Sequence, residues 1–237
     1  MKRYISSSSN KLIKDLVKLK NSKENRFLIE GKDLLDLAYL NNLLDLVITT
    51  EDNDEFNNVD VIVVPKFILE KLSNNKSVQP YIGVSRLDNS KKELGNKLVY
   101  LDGVQDPGNV GTIIRTALAF SYDGVILSKD SASITNSKVI QSTKGALFSL
   151  PIRNDVSLKE LKEQGYVIVV TALESAINYL KLPKYEKFVL VLGNEGQGVK
   201  EENIDLADAV VKIEMGNIDS LNVAVAGGIL MNHYRGG

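Results

Sequence analysis

Apolar and polar residues follow two different periods along the first ninety residues. Leu12, Leu16 and Leu19 recur at helical spacing between lysines. This pattern predicts a basic amphipathic helix over about 10–20. Short apolar runs bounded by polar residues predict strands, and longer mixed stretches predict further helices. The resulting elements of this small α/β unit are strands at 27–29, 45–49, 59–64 and 82–84, and helices near 31–41 and 65–73.

After residue 98, short apolar runs alternate with helical patterns. Because neighbouring parallel strands need a crossover, usually a helix, this alternation predicts a mostly parallel sheet with helices on both faces. Ligands of such sheets bind beyond the carboxyl ends of the strands, so the chemistry should follow these runs. A polar, turn-rich stretch at 88–97 is the best linker and predicts two domains, 1–92 and 97–237. The predicted strands are 98–101, 124–127, 167–170, 188–192 and 209–213.

Composition narrows the classes of function. The 237 residues are 43% hydrophobic and 25% charged with a net charge of −1, which is ordinary for a globular protein. No apolar run reaches about 18 residues and no signal-peptide pattern follows Met1, so we expect a cytoplasmic protein with no membrane partner. Cysteine is absent and His233 is the one histidine. Thiol nucleophiles and Cys/His zinc sites are therefore excluded, and we expect a metal-independent protein.

Charge is unevenly distributed along the chain. Residues 1–32 carry nine Lys/Arg against three acids, whereas residues 33–64 carry eight acids and no Lys or Arg. Asymmetry of this kind indicates a polyanion that binds the first segment. The alternative is a solvated helix face, whose lysines cover the outer side of the apolar stripe. The residues alone leave both interpretations open.

Three segments that follow predicted strands contain residues suited to chemistry. The first is DPGNVGTIIRTA, residues 106–117. Its Pro107-Gly108 pair is a turn signal, and Asn109 is placed to cap the helix that follows. Arg115, in the second turn of that helix, presents a five-donor fork to phosphate or carboxylate. The plain alternative is a capped helix with a surface arginine.

The second segment is LGNEGQGV, residues 192–199. Its three glycines within six residues allow a backbone to approach a ligand closely. The spacing matches neither the dinucleotide motif nor the Walker loop, which disfavours nicotinamide enzymes and ATPases. Glu195 is unusual here because a structural turn rarely requires a glutamate.

The third segment, SLNVAVAGGILMNHY, begins at Ser220. Ser220 or Asp219 is the expected N-cap of a terminal helix, with Asn222 inside its first turn. The small residues at 224–228 imply close packing against another backbone, either within the chain or across a dimer.

Taken together, the three segments resemble the signature motifs of the SpoU family of RNA ribose methyltransferases, which belongs to the trefoil-knotted SPOUT class. The resemblance covers about residues 98–235, and residues 1–90 look like the ribosomal-protein-like substrate-binding domain of several bacterial members. It implies an α/β fold in which a small α/β domain precedes a knotted domain with a mostly parallel sheet. The knot is implied by the resemblance alone, since general topology rules favour an unknotted, doubly wound sheet.

The resemblance also implies an activity and its partners. Members transfer a methyl group from S-adenosylmethionine to a ribose 2′-hydroxyl of RNA, and their active site lies at a homodimer interface. The preceding domain favours large-subunit ribosomal RNA over transfer RNA as the substrate. Two rivals stay open: a knotted enzyme that methylates a base nitrogen, and a catalytically silent RNA-binding assembly factor. The silent factor is disfavoured by the joint presence of five polar motif residues, because RNA binding alone would not require all of them. These residues are Asn109, Arg115, Glu195, Ser220 and Asn222.

Individual residues fall on functional positions of the family. A guanidinium, with a pKa above ~12, is a demanding general base, so Arg115 is expected to hold a substrate phosphate and orient the hydroxyl. This chain has Glu214 where the family usually has proline, and Ala224 where it usually has serine. The implied catalytic residues are Asn109, Arg115, Glu195, Ser220 and Asn222. The implied cofactor contacts are Thr171, Ala172, Leu173, Gly193, Asn194, Gly196, Ile213, Met215 and Leu221.

Overall fold

The first half of the chain forms a five-stranded sheet. The computed structural model describes residues 2–20, 25–52, 55–87 and 93–235. The strands are ordered β1-β4-β3-β5-β2; β4 is parallel to β1 and β3, and β5 is antiparallel to β3 and β2. The strands are β1 (Lys2–Tyr4), β2 (Arg26–Glu30), β3 (Leu44–Thr49), β4 (Asp60–Val63) and β5 (Tyr81–Arg86). The helices are α1 (Lys11–Leu19), α2 (Lys32–Leu40) and α3 (Lys66–Leu72).

The predicted basic helix is present as α1. The side chain of Asn10 caps it by accepting a hydrogen bond from the main-chain N–H of Leu12 at 2.9 Å. Its buried residues, Ile13 and Leu16, pack into an apolar cluster with strand residues such as Ile48. The remaining predicted helices and strands of this half are also confirmed within a residue or two. The three-residue edge strand β1 was not predicted.

Part of the charge asymmetry is used inside the fold. Basic residues of the first 32 positions form exposed or half-exposed ion pairs with acids of the next 32, and such pairs contribute about 0–1 kcal/mol each. Lys11 and Lys14 of α1 remain exposed, without an ion pair among the described residues. The asymmetry is therefore only partly available to a polyanion. The pairs, at 2.5 to 3.2 Å, are Lys2–Asp52, Arg3–Asp60, Arg26–Asp45 and Lys32–Glu55.

The second half forms a seven-stranded sheet in which every neighbouring pair is parallel, ordered β10-β12-β9-β11-β6-β7-β8. The predicted α/β fold with a mostly parallel sheet is confirmed. Its strands are β6 (Lys97–Asp102), β7 (Gly124–Leu127), β8 (Ile152–Arg153), β9 (Val167–Thr171), β10 (Ile177–Asn178), β11 (Phe188–Gly193) and β12 (Ala209–Lys212). Its helices are α4 (Pro107–Ala119), α5 (Ser137–Thr143), α6 (Ala146–Ser149), α7 (Leu158–Glu163), α8 (Glu201–Ile204) and α9 (Val223–Tyr234), with a 3₁₀ turn at Tyr179–Lys181.

The strand order brings distant segments together. In a doubly wound sheet β9 would lie beside β6, but here β11 lies between them. Because neighbouring strands are about 4.8 Å apart, the loops that follow β6, β11, β9 and β12 begin within about 15 Å of one another. The loops after β6, β11 and β12 contain the three motif segments.

The two halves are packed against each other. Leu37 of α2 lies against Gly145, where an added Cβ would come within 2.2 Å of its side chain. One apolar cluster contains buried residues of both halves, among them Phe27 and Val110. The predicted linker at 88–97 falls partly outside the described residues, and β6 begins at its last position. None of the helices in the described part of the chain has the length and apolarity needed to cross a membrane.

Candidate active site

The first motif begins α4, and its cap differs from the prediction. Asp106 is the N-cap, and its Oδ1 accepts a hydrogen bond from the main-chain N–H of Asn109 at 2.8 Å. The prediction that Asn109 caps the helix was wrong because Pro107 occupies the first helical position, where its missing N–H costs nothing. Asn109 therefore lies inside the first turn, and its side chain is available to other partners. Arg115 is exposed in the third turn rather than the second.

The third motif shows the opposite shift. Asn222, expected inside the first turn, is itself the N-cap of α9, and its Oδ1 accepts from the main-chain N–H groups of Ala224 and Val225 at 2.9 and 3.3 Å. The prediction of Ser220 or Asp219 as the cap was wrong. Since Oδ1 of Asn222 faces its own helix, its Nδ2 points outward as a donor.

A chain of hydrogen bonds joins the three motifs. Nδ2 of Asn222 donates to Oδ1 of Asn109 at 2.9 Å, and Nδ2 of Asn109 donates to Oε1 of Glu195 at 3.0 Å. The carboxylate of Glu195 also accepts from the main-chain N–H groups of Gln105 and Asp106, each at 3.3 Å. Three of the five predicted catalytic residues, Asn109, Glu195 and Asn222, are thus connected in one network.

The environment of Glu195 keeps it ionised. Partial burial raises the pKa of this carboxyl, but the hydrogen bonds from Asn109 and from the main chain of Gln105 and Asp106 outweigh burial and lower the pKa below its ordinary value. A carboxylate with a lowered pKa whose oxygens already accept three hydrogen bonds is a weak proton acceptor. Its arrangement suits the positioning of Asn109 and of the segment that precedes α4.

The glycine segment after β11 is a tight turn that only glycine permits at its first position. A Cβ at Gly193 would lie 2.2 Å from the carbonyl carbon of Gly198. Asn194 and Gly198 exchange main-chain hydrogen bonds of 2.9 and 3.0 Å. The side chain of Asn194 accepts from the N–H groups of Gly196 and Gln197 and donates to the carbonyl of Gly103 at 2.8 Å. Asn194 therefore braces the turn and ties it to the segment that precedes the first motif.

The other predicted cofactor residues lie at the same edge of the sheet. Thr171 ends β9, and its hydroxyl donates to the carbonyl of Val191 on β11 at 2.9 Å. Ala172 continues the strand with a main-chain bond to Val211, and the following Leu173 is 58% exposed. Past β12, the chain turns through the half-buried residues Ile213, Met215 and Leu221. The glycine turn after β11 is thus accompanied by two loops with apolar side chains, which follow the neighbouring strands β9 and β12.

Two predicted residues lie outside the network. Arg115 and Ser220 are exposed, and neither side chain makes a hydrogen bond or ion pair within the described residues. The lone histidine, His233, packs its ring edge-on against Tyr179 and Tyr234 with centroids 5.1 and 4.7 Å apart. Burial lowers the pKa of this histidine, as does the nearby charge of Lys184.

Two residues that hold the site together, Asp102 and Asp106, were not predicted from the sequence. Asp102, the last residue of β6, is buried, and its Oδ2 accepts from the main-chain N–H of Lys200 and from Nδ2 of Asn203, each at 2.8 Å. It thereby anchors the chain just beyond the glycine turn. The available signal was an acid at the end of an apolar run. For Asp106 the signal was an aspartate directly before Pro-Gly.

Comparisons with known proteins identify the family of this chain. The sequence model of the SpoU rRNA Methylase family matches residues 96–232. The chain is 34% identical to the 23S rRNA (guanosine(2553)-2′-O)-methyltransferase RlmP of Bacillus subtilis, over 99% of this chain and 100% of that protein.

Solved structures share the fold along nearly the whole chain. The AdoMet-bound rRNA methyltransferase from Sinorhizobium meliloti has a TM-score of 0.87 at 26% identity, covering 99% of this chain and 97% of the other. The SpoU methyltransferase AviRb from Streptomyces viridochromogenes, in complex with AdoMet, has a TM-score of 0.84 at 22% identity, covering 95% and 97%, and supports the fold alone. With its three motifs joined at one edge of the sheet, the chain belongs to the SpoU rRNA methylase family.

Proposed function

We propose that this protein transfers a methyl group from S-adenosylmethionine to a ribose 2′-hydroxyl of large-subunit (23S) ribosomal RNA. The observation that carries the proposal is the hydrogen-bonded chain Glu195–Asn109–Asn222, which joins the three family motifs at one edge of the sheet. The full-length similarity to a 23S rRNA 2′-O-methyltransferase supports the choice of substrate.

The loops after β9, β11 and β12 suit the cofactor. Leu173, Ile213, Met215 and Leu221 offer apolar side chains for the adenine, and the glycine turn lets a backbone come close because Gly193 has no Cβ. When bound, S-adenosylmethionine supplies an electrophilic methyl group on a sulfonium. Among the described residues, no group of three or more His, Asp or Glu side chains could hold a metal ion, and the proposal requires none.

Arg115 is the residue that binds a phosphate of the RNA. It is exposed and carries no ion pair within the described structure, so its full set of donors is available. A guanidinium stays protonated in proteins, so its role is to hold the phosphate and orient the ribose hydroxyl. Asn109 and Asn222, oriented by Glu195, position the ribose at this site, and Ser220 lies in the loop that precedes α9.

The assembly is a homodimer with the site at its interface. Leu118 on α4 and Val225 on α9 are 39% and 53% exposed, and apolar exposure on two neighbouring helices of the site supports a second copy of the chain there. The proposed domains are 1–92 for RNA substrate binding and 97–237 for methyl transfer. The second domain is a trefoil knot, a proposal that the placement of β11 between β6 and β9 supports. The enzyme acts in the cytoplasm.

The test is methyl transfer to defined RNA pools. Unmodified ribosomal RNA and bulk transfer RNA are incubated separately with methyl-labelled S-adenosylmethionine, digested to nucleosides and resolved. A labelled 2′-O-methyl nucleoside from ribosomal RNA alone is the expected result. Label in transfer RNA alone would show that transfer RNA, rather than ribosomal RNA, is the substrate. Label on a base would overturn the ribose assignment, and no label would favour the silent assembly factor.

Arg115→Ala separates chemistry from cofactor binding. We expect methyl transfer to fall at least a hundredfold, because phosphate positioning is lost, while the dissociation constant for S-adenosylmethionine changes less than threefold. Isothermal titration and single-turnover rates measure the two quantities. A variant that keeps a near-normal rate would remove Arg115 from the mechanism.

A further inference from the structure

A large cleft lies between the two halves of the chain, beside the candidate active site. Its volume is about 1010 Å³. One wall contains Asn25 and Leu87 of the first half. The other wall contains the loop after β7 and residues 152–155, which are β8 and the two residues that follow it. Because β7 and β8 are parallel to β6 and β11, this cleft opens at the same edge of the sheet as the motif loops.

The lining of the cleft is about half polar and half apolar, and it carries little charge. Arg153 is paired with Asp155 through two hydrogen bonds of 3.0 and 3.2 Å. Lys129 is exposed and makes no ion pair or hydrogen bond with the described residues, and, after a hydrogen bond from Lys200, its charge helps to lower the pKa of the adjacent Asp130. Hydroxyls and amides match sugar hydroxyls and base edges, and a free lysine matches a phosphate. The hydroxyl and amide groups are those of Ser128, Ser131, Ser133, Thr135, Asn25 and Asn154.

The cleft and the active-site network hold the same short segment, 103–106. On the cleft side, the main-chain N–H of Gly103 donates to Ser128 Oγ at 2.8 Å, and that of Val104 donates to Ser131 Oγ at 3.2 Å. On the other side, Asn194 and Glu195 hold the same segment through the bonds described above. Since β7 lies two strands from β11, the two sites are about 10 Å apart at the sheet edge, a span that adjacent nucleotides of one strand can cover.

We infer that this cleft holds the unpaired RNA strand next to the methylated nucleotide. The inference rests on the proposed function, since it assumes an RNA substrate. A cleft of about 1010 Å³ is near the upper end of small-molecule sites, which suits a short single strand whose bases are splayed out. The first half of the chain forms one wall of this site, so it contributes to substrate binding through Asn25 and Leu87 as well as through α1.

Two substitutions with matched controls test the cleft. Ser133→Trp places a bulky side chain at an exposed position where, among the described residues, the hydroxyl bonds to Thr135 alone, and Lys129→Ala removes the exposed cation. Glu163→Trp and Lys184→Ala make the same kinds of change at exposed positions that do not line the cleft. Filter binding to an unmodified 23S ribosomal RNA transcript gives the affinity and its salt dependence. Calorimetry gives the affinity for S-adenosylmethionine.

We expect Ser133→Trp to weaken RNA binding at least tenfold, and Lys129→Ala to reduce the slope of log affinity against log salt by about one. Cofactor affinity should stay within twofold in both variants, as should RNA affinity in both controls. RNA affinities of the cleft variants equal to those of the controls would overturn the inference. So would equal losses in cleft variants and controls.

A crosslink gives a second, independent measurement. The same transcript containing 4-thiouridine is irradiated with the wild-type protein, and the tryptic peptides that carry RNA are identified. The expected peptide is 130–138, which contains Ser131, Ser133 and Thr135. Crosslinks confined to other surfaces would contradict the cleft. Both experiments measure binding without methylation, so a chain that binds RNA in the cleft but transfers no methyl group would refute the proposed function alone.

Discussion

A methyl group added at Gly193 should disrupt the glycine turn. In Gly193→Ala the new Cβ would lie 2.2 Å from the carbonyl carbon of Gly198 and 2.3 Å from the nitrogen of Val199. Ordinary contacts of a Cβ begin at 3.4 Å. Both obstructing atoms belong to the backbone, so no side chain can rotate away. The chain on one side of the turn must therefore move by about 1 Å.

The cost of that movement can be worked out from the contacts it breaks. Overpacking of a buried position costs about 1–3 kcal/mol. The two main-chain hydrogen bonds between Asn194 and Gly198, at 2.9 and 3.0 Å, would be stretched, at about 0.5–1.5 kcal/mol each. The substitution should therefore lower the free energy of unfolding by about 2–6 kcal/mol, which lowers the melting temperature by roughly 4–24 °C for a chain of this length.

Gly216→Ala is the matched control. A Cβ there meets nothing within 4 Å, and the backbone of Gly216 does not adopt a positive φ. Urea unfolding and calorimetric titration with S-adenosylmethionine are measured for both variants. We expect Gly216→Ala to stay within about 1 kcal/mol of the wild type. We expect Gly193→Ala to lose stability as calculated and to bind the cofactor at least tenfold more weakly. Equal stability and equal cofactor affinity in the two variants would refute the reasoning.

Substitutions at three further positions separate the roles within the network. Because hydrogen bonds hold the pKa of Glu195 below its ordinary 4.5, its carboxylate stabilises the fold above that pH, and this stabilisation is lost as the pH falls through the folded pKa. The stability difference between wild type and Glu195→Gln should therefore be constant above about pH 5 and shrink below it; urea unfolding that gives the same difference at pH 3 and pH 7 would contradict this. Asn222→Asp keeps an oxygen that caps α9 but loses the donor to Asn109, so we expect near-normal stability with at least tenfold slower methyl transfer, whereas Asn222→Ala should lose about 1 kcal/mol as well. Equal rates for Asn222→Asp and wild type would show that the link to Asn109 is dispensable. Asp106→Ala should destabilise by about 1 kcal/mol through loss of the α4 cap, and Asp106→Ser should recover most of it in the same assay.

Long periodic segments were predictable, and very short ones were not. The apolar stripe of α1 and the buried runs of β6, β7, β9, β11 and β12 carry their own signals, because a helix or a buried strand must present an apolar face to a core. Strands β1, β8 and β10 have two or three residues, too few to show a period. Their pairing depends on the neighbouring strand rather than on their own residues.

The helix caps show a finer limit. The segment Asp106-Pro-Gly-Asn109 contains two residues that cap helices well; Asn109 was predicted, and Asp106 is the cap. Proline at the first helical position favours the aspartate before it. The difference matters for function, because the side chain of an Asn109 that capped α4 would hydrogen-bond to its own helix. Because Asp106 caps the helix instead, the side chain of Asn109 connects Asn222 to Glu195.

The sequence by itself determined the residue types, the periodicity of the main elements and the three motifs that follow predicted strands. Only the tertiary structure decided which of those residues meet. Glu195 and Asn222 lie 86 and 113 positions from Asn109, and no local rule relates such distant side chains. They meet because β11 lies between β6 and β9, a strand order set by the packing of the whole sheet. In the first half, the pairing of β1 with β4 likewise brings Arg3 to Asp60, so the basic first segment uses part of its charge on the acids that follow it.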